Sequence, residues 1–473
     1  MKKYDVAIIG AGTGGLSARK WVAKKTDNYV VIDNGILGTT CARVGCMPSK
    51  VLIQAANDFH RRHSLLEMGI HGGEGLTVNH KEVMQHVRKL RDRFVRGVMS
   101  SFSQWKDTHF IAKKAIFIDQ NTLDLEGEKI QAEKIILATG SRPFIPEPWM
   151  PYEKYLIDTN AFFEMDDLPE TLAVIGLGVI GIELGQALHR LGVKVTAISR
   201  RKVIGGLSDP EMVEYVSDKF SEEMDIDFTG VESLSENNGK LVVKTVDRTI
   251  EVDKALLAIG RKPNVEGIGL ESIGIPMDEN GFPKFDTHTM QIEGTSIFMP
   301  GDVNEERPLL HEAADDGAIS GYNAVASEIT PFTRRTFLGI TFSDPNIAVV
   351  GKGHSQLLDE GINFKEGKVS FEGQGRSIVK LKEKGLLKIY GDTKTGAILG
   401  AEIFGPSGEH IAHLIAWAIQ NELTAHKALS MPFYHPVIEE GLRTALRDLA
   451  SKMEESQSPL ELAICQDHPT HGH

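Results

Sequence analysis

Short apolar runs broken by glycine clusters recur along the chain, and several are followed by segments whose apolar positions fall at helical spacing. The first run, Tyr4-Asp-Val-Ala-Ile-Ile9, is nearly continuous and predicts a strand buried on both faces. It flows into Gly10-Ala-Gly12-Thr-Gly14-Gly15, then into the helix-like Leu16-Ser-Ala-Arg-Lys-Trp-Val-Ala23 and a second strand, Tyr29-Val-Val-Ile32. The same succession returns at Leu172-Ala-Val-Ile-Gly176-Leu-Gly178-Val-Ile-Gly181. Beyond Phe337 the pattern turns mixed, with a strand predicted over Leu386-Leu-Lys-Ile-Tyr390 and a helix over Ile411 to Ile419. Strand, glycine loop, helix and strand in that order build parallel sheets. The predicted fold class is therefore α/β: two Rossmann-like dinucleotide-binding domains plus a C-terminal α+β region.

The glycine loops carry chemistry. Gly10 and Gly12 permit a tight turn and close approach to a pyrophosphate, while Gly15 lets helix and strand pack closely. Gly176, Gly178 and Gly181 repeat that spacing. Asp33 lies 23 residues beyond Gly10, where a carboxylate would bind an adenosine ribose, and Ser199 lies 23 residues beyond Gly176. The chain thus holds two dinucleotide sites that differ at one informative position. A carboxylate there repels a 2'-phosphate, whereas Ser199 followed by Arg200, Arg201 and Lys202 welcomes one. One charged hydrogen bond contributes ~1.5–3 kcal/mol, a tenfold to hundredfold discrimination. NADP(H) is therefore favoured over NAD(H) at the second site, the alternative being that the basic run is a solvated turn.

With 473 residues and 41% apolar content, the chain is long enough for about three domains with real cores. Its net charge of -13 argues against a nucleic-acid surface, and no apolar window approaches a membrane span. Of three cysteines, two stand at C-x4-C spacing in Thr40-Cys-Ala-Arg-Val-Gly-Cys-Met-Pro-Ser-Lys50 and the third, Cys465, lies in the tail. So few cysteines do not make a secreted disulfide framework, so a cytoplasmic location is expected. Cys41 and Cys46, close behind a nucleotide loop, suggest a disulfide that exchanges electrons with a bound cofactor. Inert burial and zinc binding are the competing readings, and zinc wants about four ligands that no second cysteine pair supplies. A regular helix separates residues five apart by at least ~7.5 Å, more than a disulfide spans, so the segment must be distorted around Gly45 when oxidised.

Several motifs in order make the chain resemble the two-dinucleotide flavoprotein disulfide reductases, which include dihydrolipoyl dehydrogenase, glutathione reductase and mercuric reductase. Beside the glycine loops and cysteine pair these are Ala138-Thr139-Gly140-Ser-Arg-Pro143, Ala258-Ile-Gly260-Arg261-Lys-Pro-Asn264, Gly301-Asp302 and His435-Pro436-Val-Ile-Glu-Glu440. The resemblance implies FAD at the first site, with Thr40, Thr139, Gly140 and Gly301 around it, Asp302 at the ribityl chain and Asp33 at the ribose. A pyridine nucleotide would occupy the second site, bordered by Gly260. It implies Cys46 as the thiolate facing the flavin and Cys41 as the thiol that exchanges with substrate. Lys50 would lie near the flavin, paired with Glu183. His435 would be the acid/base, oriented by Glu440 and serving the other subunit of a homodimer. No resident metal is expected.

The implied division is a flavin domain over 1–145, resuming over 259–334, around a nicotinamide domain over 146–258. An interface domain over 335–450 and a polar tail over 451–473 follow. The tail's cysteine and histidines read either as a soft-metal site or as a plain chain end. The vicinal cysteine pair near the C-terminus of mercuric reductases is absent. Thr39, Ala42, Arg43, Ser199 and Val437 depart from the commonest dihydrolipoyl dehydrogenase pattern. Arg43 either suits an anionic disulfide or faces solvent or another subunit. The substrate is expected to be a small dithiol or disulfide, first a lipoyl group on a carrier protein. The alternatives are an NADPH-dependent reductase of another low-molecular-weight disulfide, or a flavoprotein electron carrier or metal-binding partner protein without turnover.

Overall fold

The structure is a computed structural model in which residues 1–279, 281–453 and 460–462 are described. Strand β1 (Lys2–Ile9), helix α1 (Thr13–Val22) and strand β2 (Tyr29–Ile32) form the first predicted unit. β1 runs parallel to β2, with Val6 opposite Tyr29, and parallel to Glu128–Leu137 on its other side. Side chains alternate across the strand: Val6 and Ile8 pack with Ala18 and Val22 of α1, whereas Ala7 and Ile9 pack with Leu123 and Ile135 beneath. Both faces are covered, which is why the run is apolar without alternation. The strand begins two residues before the predicted start because ladder pairing extends to Lys2 and Lys3, whose side chains stay in solvent.

Ile297–Phe298 returns to this sheet beside Glu128–Leu137, bringing the chain back after a long excursion. Within that excursion lies a second parallel sheet in the order Asp225–Asp227, Lys194–Ile198, Thr171–Ile175, Lys254–Leu257, Leu156–Ile157. A three-stranded antiparallel sheet covers one of its faces through Leu241, Val243 and Val252. The helix Val179–Arg190 covers the other. Ser141–Pro143 and Arg261–Pro263 pair antiparallel where the chain leaves and re-enters the first unit.

Residues after Leu338 form a five-stranded antiparallel sheet backed by the helices Gly408–Gln420 and Glu440–Ser451. This layer is fastened to the second unit by the fully buried Glu402, whose carboxylate accepts from the Ser208, Asp209 and His354 amides and the Ser208 hydroxyl. The observed class is thus the predicted one, α/β with two Rossmann-like units and a C-terminal α+β layer. Among the described residues no helix is long and apolar enough to cross a membrane. Cys465 and the tail histidines His468, His471 and His473 lie outside the described residues.

Candidate active site

The two glycine loops are superimposable in their constraints. Gly10 has φ +108, and a Cβ there would sit 2.2 Å from the Ala138 carbonyl oxygen; Gly176 has φ +100 and would meet the Ala258 oxygen at 2.3 Å. Gly15 and Gly181 close on the carbonyls of Gly10 and Gly176, leaving no space for a side chain. Gly12 and Gly178 instead face open space and begin their helices with no side-chain cap, so the first-turn amides are left for an anion. Asp33 closes the first site: one carboxylate oxygen accepts from the Ala11 amide at 2.6 Å and the other from the Gly35 amide at 2.7 Å. These features fit a dinucleotide, with pyrophosphate at the uncapped amides and ribose at the carboxylate.

The second site ends differently. Ser199 donates its hydroxyl to the Arg201 carbonyl at 2.8 Å. Lys202 is engaged by Glu214 at 3.1 Å, while Arg200 and Arg201 are exposed and have no ion-pair partner among the described residues.

The cysteine segment is broken as its spacing demands. Helix α2 (Thr40–Val44) ends at Gly45, and helix α3 (Cys46–His60) begins immediately after. A Cβ on Gly45 would lie 3.2 Å from the Cys41 Cα and the Thr40 oxygen, so the crossing is tight. Both cysteines are free thiols joined by a side-chain hydrogen bond. Cys41 is half-buried, and Cys46 is exposed, at the first position of α3. Its thiol is pushed down to about 7, first by the hydrogen bond from Cys41 and then by the charge of Lys50, against the opposing effect of burial. Cys41 moves the other way, far upward, because its proton is held in the bond to Cys46 and its site is partly desolvated.

One turn along α3, the Lys50 ammonium donates to both oxygens of Glu183 at 2.8 and 2.7 Å. Glu183 is 4% exposed and comes from the helix behind the second glycine loop. Its Oε1 also accepts the Phe342 amide at 2.8 Å, so the buried carboxylate is fully satisfied.

A second cluster gathers the returning segments. Asp302 accepts from the Ser141 hydroxyl at 2.8 Å, and that hydroxyl accepts from Arg261 Nε at 2.7 Å. Burial lowers the Arg261 guanidinium from its ordinary value. Thr139 donates its hydroxyl to the Asn264 carbonyl at 2.9 Å, and the Asn264 side-chain amide donates back to the Thr139 carbonyl. The Asn264 amide donates to the Gly140 carbonyl at 2.9 Å, while Gly260 turns the chain with φ +114. The Gly301 amide donates to the buried Asp316.

His435 and Glu440 form a third group. His435 Nδ1 lies 3.0 and 3.1 Å from the two Glu440 oxygens, and the Val437 amide donates to the same carboxylate at 3.2 Å. Those contacts, the imidazole first, hold the Glu440 carboxyl below the usual glutamate range. The His435 side chain is 81% exposed, presented outward by the turn into the helix Glu440–Ser451. Its polar contacts among the described residues are with Glu440 and not with either cysteine.

Ser141, Arg261, Asn264, Asp316 and Phe342 join these clusters without having been assigned as site residues from sequence. The first three lie inside motifs that were visible; Asp316 and Phe342 carried no local signal. Arg43 is half-buried, with its guanidinium donating to the Ile36 carbonyl at 3.2 Å. It points along the loop that precedes α2.

Residues 4–318 match the family described as pyridine nucleotide-disulphide oxidoreductase, and residues 338–446 match the dimerisation domain of that family. Dihydrolipoyl dehydrogenase of Trypanosoma brucei brucei is 29% identical over 461 residues, covering 93% of this chain and 95% of that protein. Mercuric reductase of Staphylococcus aureus is also 29% identical, over 93% of this chain and 82% of its own length. In three dimensions the chain is similar to the HOCl-induced flavoprotein disulfide reductase RclA from Escherichia coli, with a TM-score of 0.80 and 22% identity, covering 95% and 100% of the two chains. FAD and a pyridine nucleotide are the cofactors of this family, and its members pair through the dimerisation domain. With matching units over most of its length and glycine loops and a cysteine pair in the family's order, the chain belongs to the pyridine nucleotide-disulphide oxidoreductases and is a flavoprotein disulfide oxidoreductase.

Proposed function

We propose that the enzyme passes electrons between NAD(P)(H), FAD and the Cys41–Cys46 pair to or from a small dithiol or disulfide, most nearly as a dihydrolipoyl dehydrogenase does. The observation that carries this is the Cys46 thiol at the start of α3, lowered to about 7, with the Lys50–Glu183 pair one turn away. Gly10, Gly12, Gly15, Asp33, Thr40, Thr139, Gly140, Gly301 and Asp302 hold FAD. Gly176, Gly178, Gly181, Ser199, Arg200, Arg201 and Gly260 hold the nicotinamide nucleotide. The domain division over 1–145 with 259–334, 146–258, 335–450 and the tail follows from these assignments. We place the enzyme in the cytoplasm, as a homodimer in which each His435 serves the cysteines of the other subunit.

FAD, when bound, supplies a ring that accepts hydride from the nicotinamide and exchanges an electron pair with sulfur. The protein's own part concerns sulfur and protons. In the reduced pair Cys46 is the thiolate and Cys41 keeps its proton. His435 removes that proton, and the Cys41 thiolate attacks one sulfur of the substrate disulfide. The leaving thiolate takes the proton from His435. Cys46 then attacks Cys41, expelling the second substrate sulfur as a thiolate that takes its proton from solvent, and the Cys41–Cys46 disulfide is re-formed. Glu440 on Nδ1 fixes the imidazole tautomer and stabilises its cation. The reverse sequence oxidises a dithiol.

The free guanidinium groups of Arg200 and Arg201 favour a second reading, an NADPH-dependent reductase of a disulfide other than lipoamide. Turnover of purified enzyme with lipoamide, oxidised glutathione and other disulfides, each with NADPH and NADH, separates the two. Lipoamide turnover well above the rest supports the first, and its absence beside another active disulfide supports the second. Failure of every disulfide would contradict both.

A further inference from the structure

The loop Phe342 to Asp344 belongs to the dimerisation layer, yet it is fastened along one face of the helix behind the second glycine loop. Glu183, Gln186 and Arg190 recur at three- and four-residue spacing and so share that face. Glu183 accepts the Phe342 amide. Gln186 accepts the Asp344 amide at 2.8 Å and donates to its carbonyl at 2.9 Å. Arg190 donates to the Asp344 carboxylate at 2.9 Å and to its carbonyl at 3.0 Å. Lys382 adds a bond to the other Asp344 oxygen at 2.8 Å. Asp344 is therefore anchored through its amide, its carbonyl and both carboxylate oxygens, and the loop is held to the helix over two turns.

What that anchoring delivers is the Phe342 ring. The Lys50 ammonium lies 4.5 Å from the ring centroid, within cation–π range, while bonded to both Glu183 oxygens on its other side. Its remaining polar neighbour is the Ser49 hydroxyl at 3.4 Å, a weak contact. Lys50 has four methylenes and, at 31% side-chain exposure, access to water. Without the ring, one side of the ammonium would be free to swing outward while keeping one carboxylate oxygen.

We infer that Phe342 is a positioning residue for Lys50: its amide orients the Glu183 carboxylate, its ring confines the ammonium, and the dimerisation layer thereby sets where the charge beside Cys46 stands. Three units of the chain meet at this point, since Lys50 follows the first glycine loop, Glu183 the second, and Phe342 comes from the third layer. The inference deepens the proposed function and rests on its reading of Lys50 as the cation that acts on the Cys46 thiolate.

The test uses FAD-loaded enzyme carrying Cys41→Ser, in which Cys46 is the remaining thiol of the pair, and follows the long-wavelength thiolate-to-flavin absorbance against pH. Phe342→Leu should shift the midpoint upward by about half to one pH unit, a threefold to tenfold loss of thiolate on its acid side. Phe342→Tyr, which keeps the ring, should overlay the parent, and Lys50→Met should shift the midpoint at least as far as Leu. If Leu fails to retain FAD, Phe342→Met removes the ring with a flexible apolar side chain and is read in the same way. An unshifted Leu or Met curve beside a shifted Lys50→Met curve overturns the role of Phe342 alone. A Tyr curve shifted as far as Leu overturns it too. An unshifted Lys50→Met curve overturns the underlying reading of Lys50.

Discussion

Lys50 and Glu183 are 133 residues apart in sequence and 2.7 Å apart in space, joining the cysteine helix to the helix behind the second glycine loop. Their burial is unequal, at 31% and 4% side-chain exposure. Removing Lys50 strands a buried carboxylate, whereas neutralising Glu183 leaves an ammonium that can reach water. Lys50→Met should therefore cost about 2–3 kcal/mol of stability, below the fully buried limit because Lys50 is partly solvated. Glu183→Gln should cost about 1 kcal/mol or less. Denaturant unfolding of the two variants checks the order, and a larger loss for Glu183→Gln would contradict it.

The titration of the cysteines makes the stability of the reduced enzyme pH-dependent. Cys46 is lowered from 9.0 to about 7, so between about pH 7 and 9 the unfolded chain holds a proton that the folded chain has shed. Stability should rise through that window. Above 9 the Cys41 contribution opposes it, because Cys41 keeps its proton more tightly when folded. Melting temperatures of reduced wild type, referenced to a Cys41→Ala, Cys46→Ala double variant, should trace this rise and reversal. A difference that stays flat from pH 7 to 9 would remove the thiolate assignment.

In the proposed reaction His435 acts on the substrate half only. His435→Gln should leave flavin reduction by NADPH near the wild-type rate while lowering disulfide turnover about 10²–10⁴-fold. Glu440→Gln should lose roughly tenfold, since it orients the imidazole but carries no proton to substrate. Stopped-flow reduction and steady-state turnover distinguish these, and a matching loss in both half-reactions would argue that His435 supports folding or flavin binding instead.

Discrimination between nicotinamides should reside in Arg200 and Arg201. Wild type should favour NADPH by at least tenfold in kcat/KM, and Ser199→Glu with Arg200→Ala should reverse the preference, each charged bond being worth about 1.5–3 kcal/mol. A wild-type preference for NADH would refute the assignment.

Much of this site was legible because glycine loops and the cysteine pair are local in sequence. Gly10, Gly15, Gly176 and Gly181 are required by backbone approaches within a few residues or across one strand, so their spacing announces them. Gly45 was readable from the distance a disulfide can span. Phe342 was not, because its contact with Lys50 depends on how three units pack, and no period or spacing records that. Asp316 was hidden for the same reason: buried on the helix Leu310–Val325, it accepts the Gly301 amide through a contact that no period or spacing records. The pairing of Arg43 with a backbone carbonyl likewise depends on the fold of the loop Ile36 to Gly38.

Thr39 shows what a departure from the family pattern costs. It caps α2 with φ +62, in the left-handed region that favours glycine, and its hydroxyl accepts the Ala42 amide at a long 3.3 Å. The strain, on the order of 1–3 kcal/mol for a branched residue, exceeds the few tenths that a cap loses on replacement by glycine. Thr39→Gly should therefore stabilise the protein by about 1 kcal/mol, read as a higher denaturation midpoint. A lower midpoint would show that the cap outweighs the strain.

Anaerobic titration with NADPH tests the flow of electrons into the sulfur pair most directly. Wild type should consume one equivalent while developing long-wavelength absorbance with the flavin still oxidised, and a second as the flavin bleaches. Cys46→Ala should bleach with the first equivalent and show no such band. Wild-type enzyme that bleaches fully with one equivalent, indistinguishable from Cys46→Ala, would mean that Cys41 and Cys46 do not exchange electrons with the flavin.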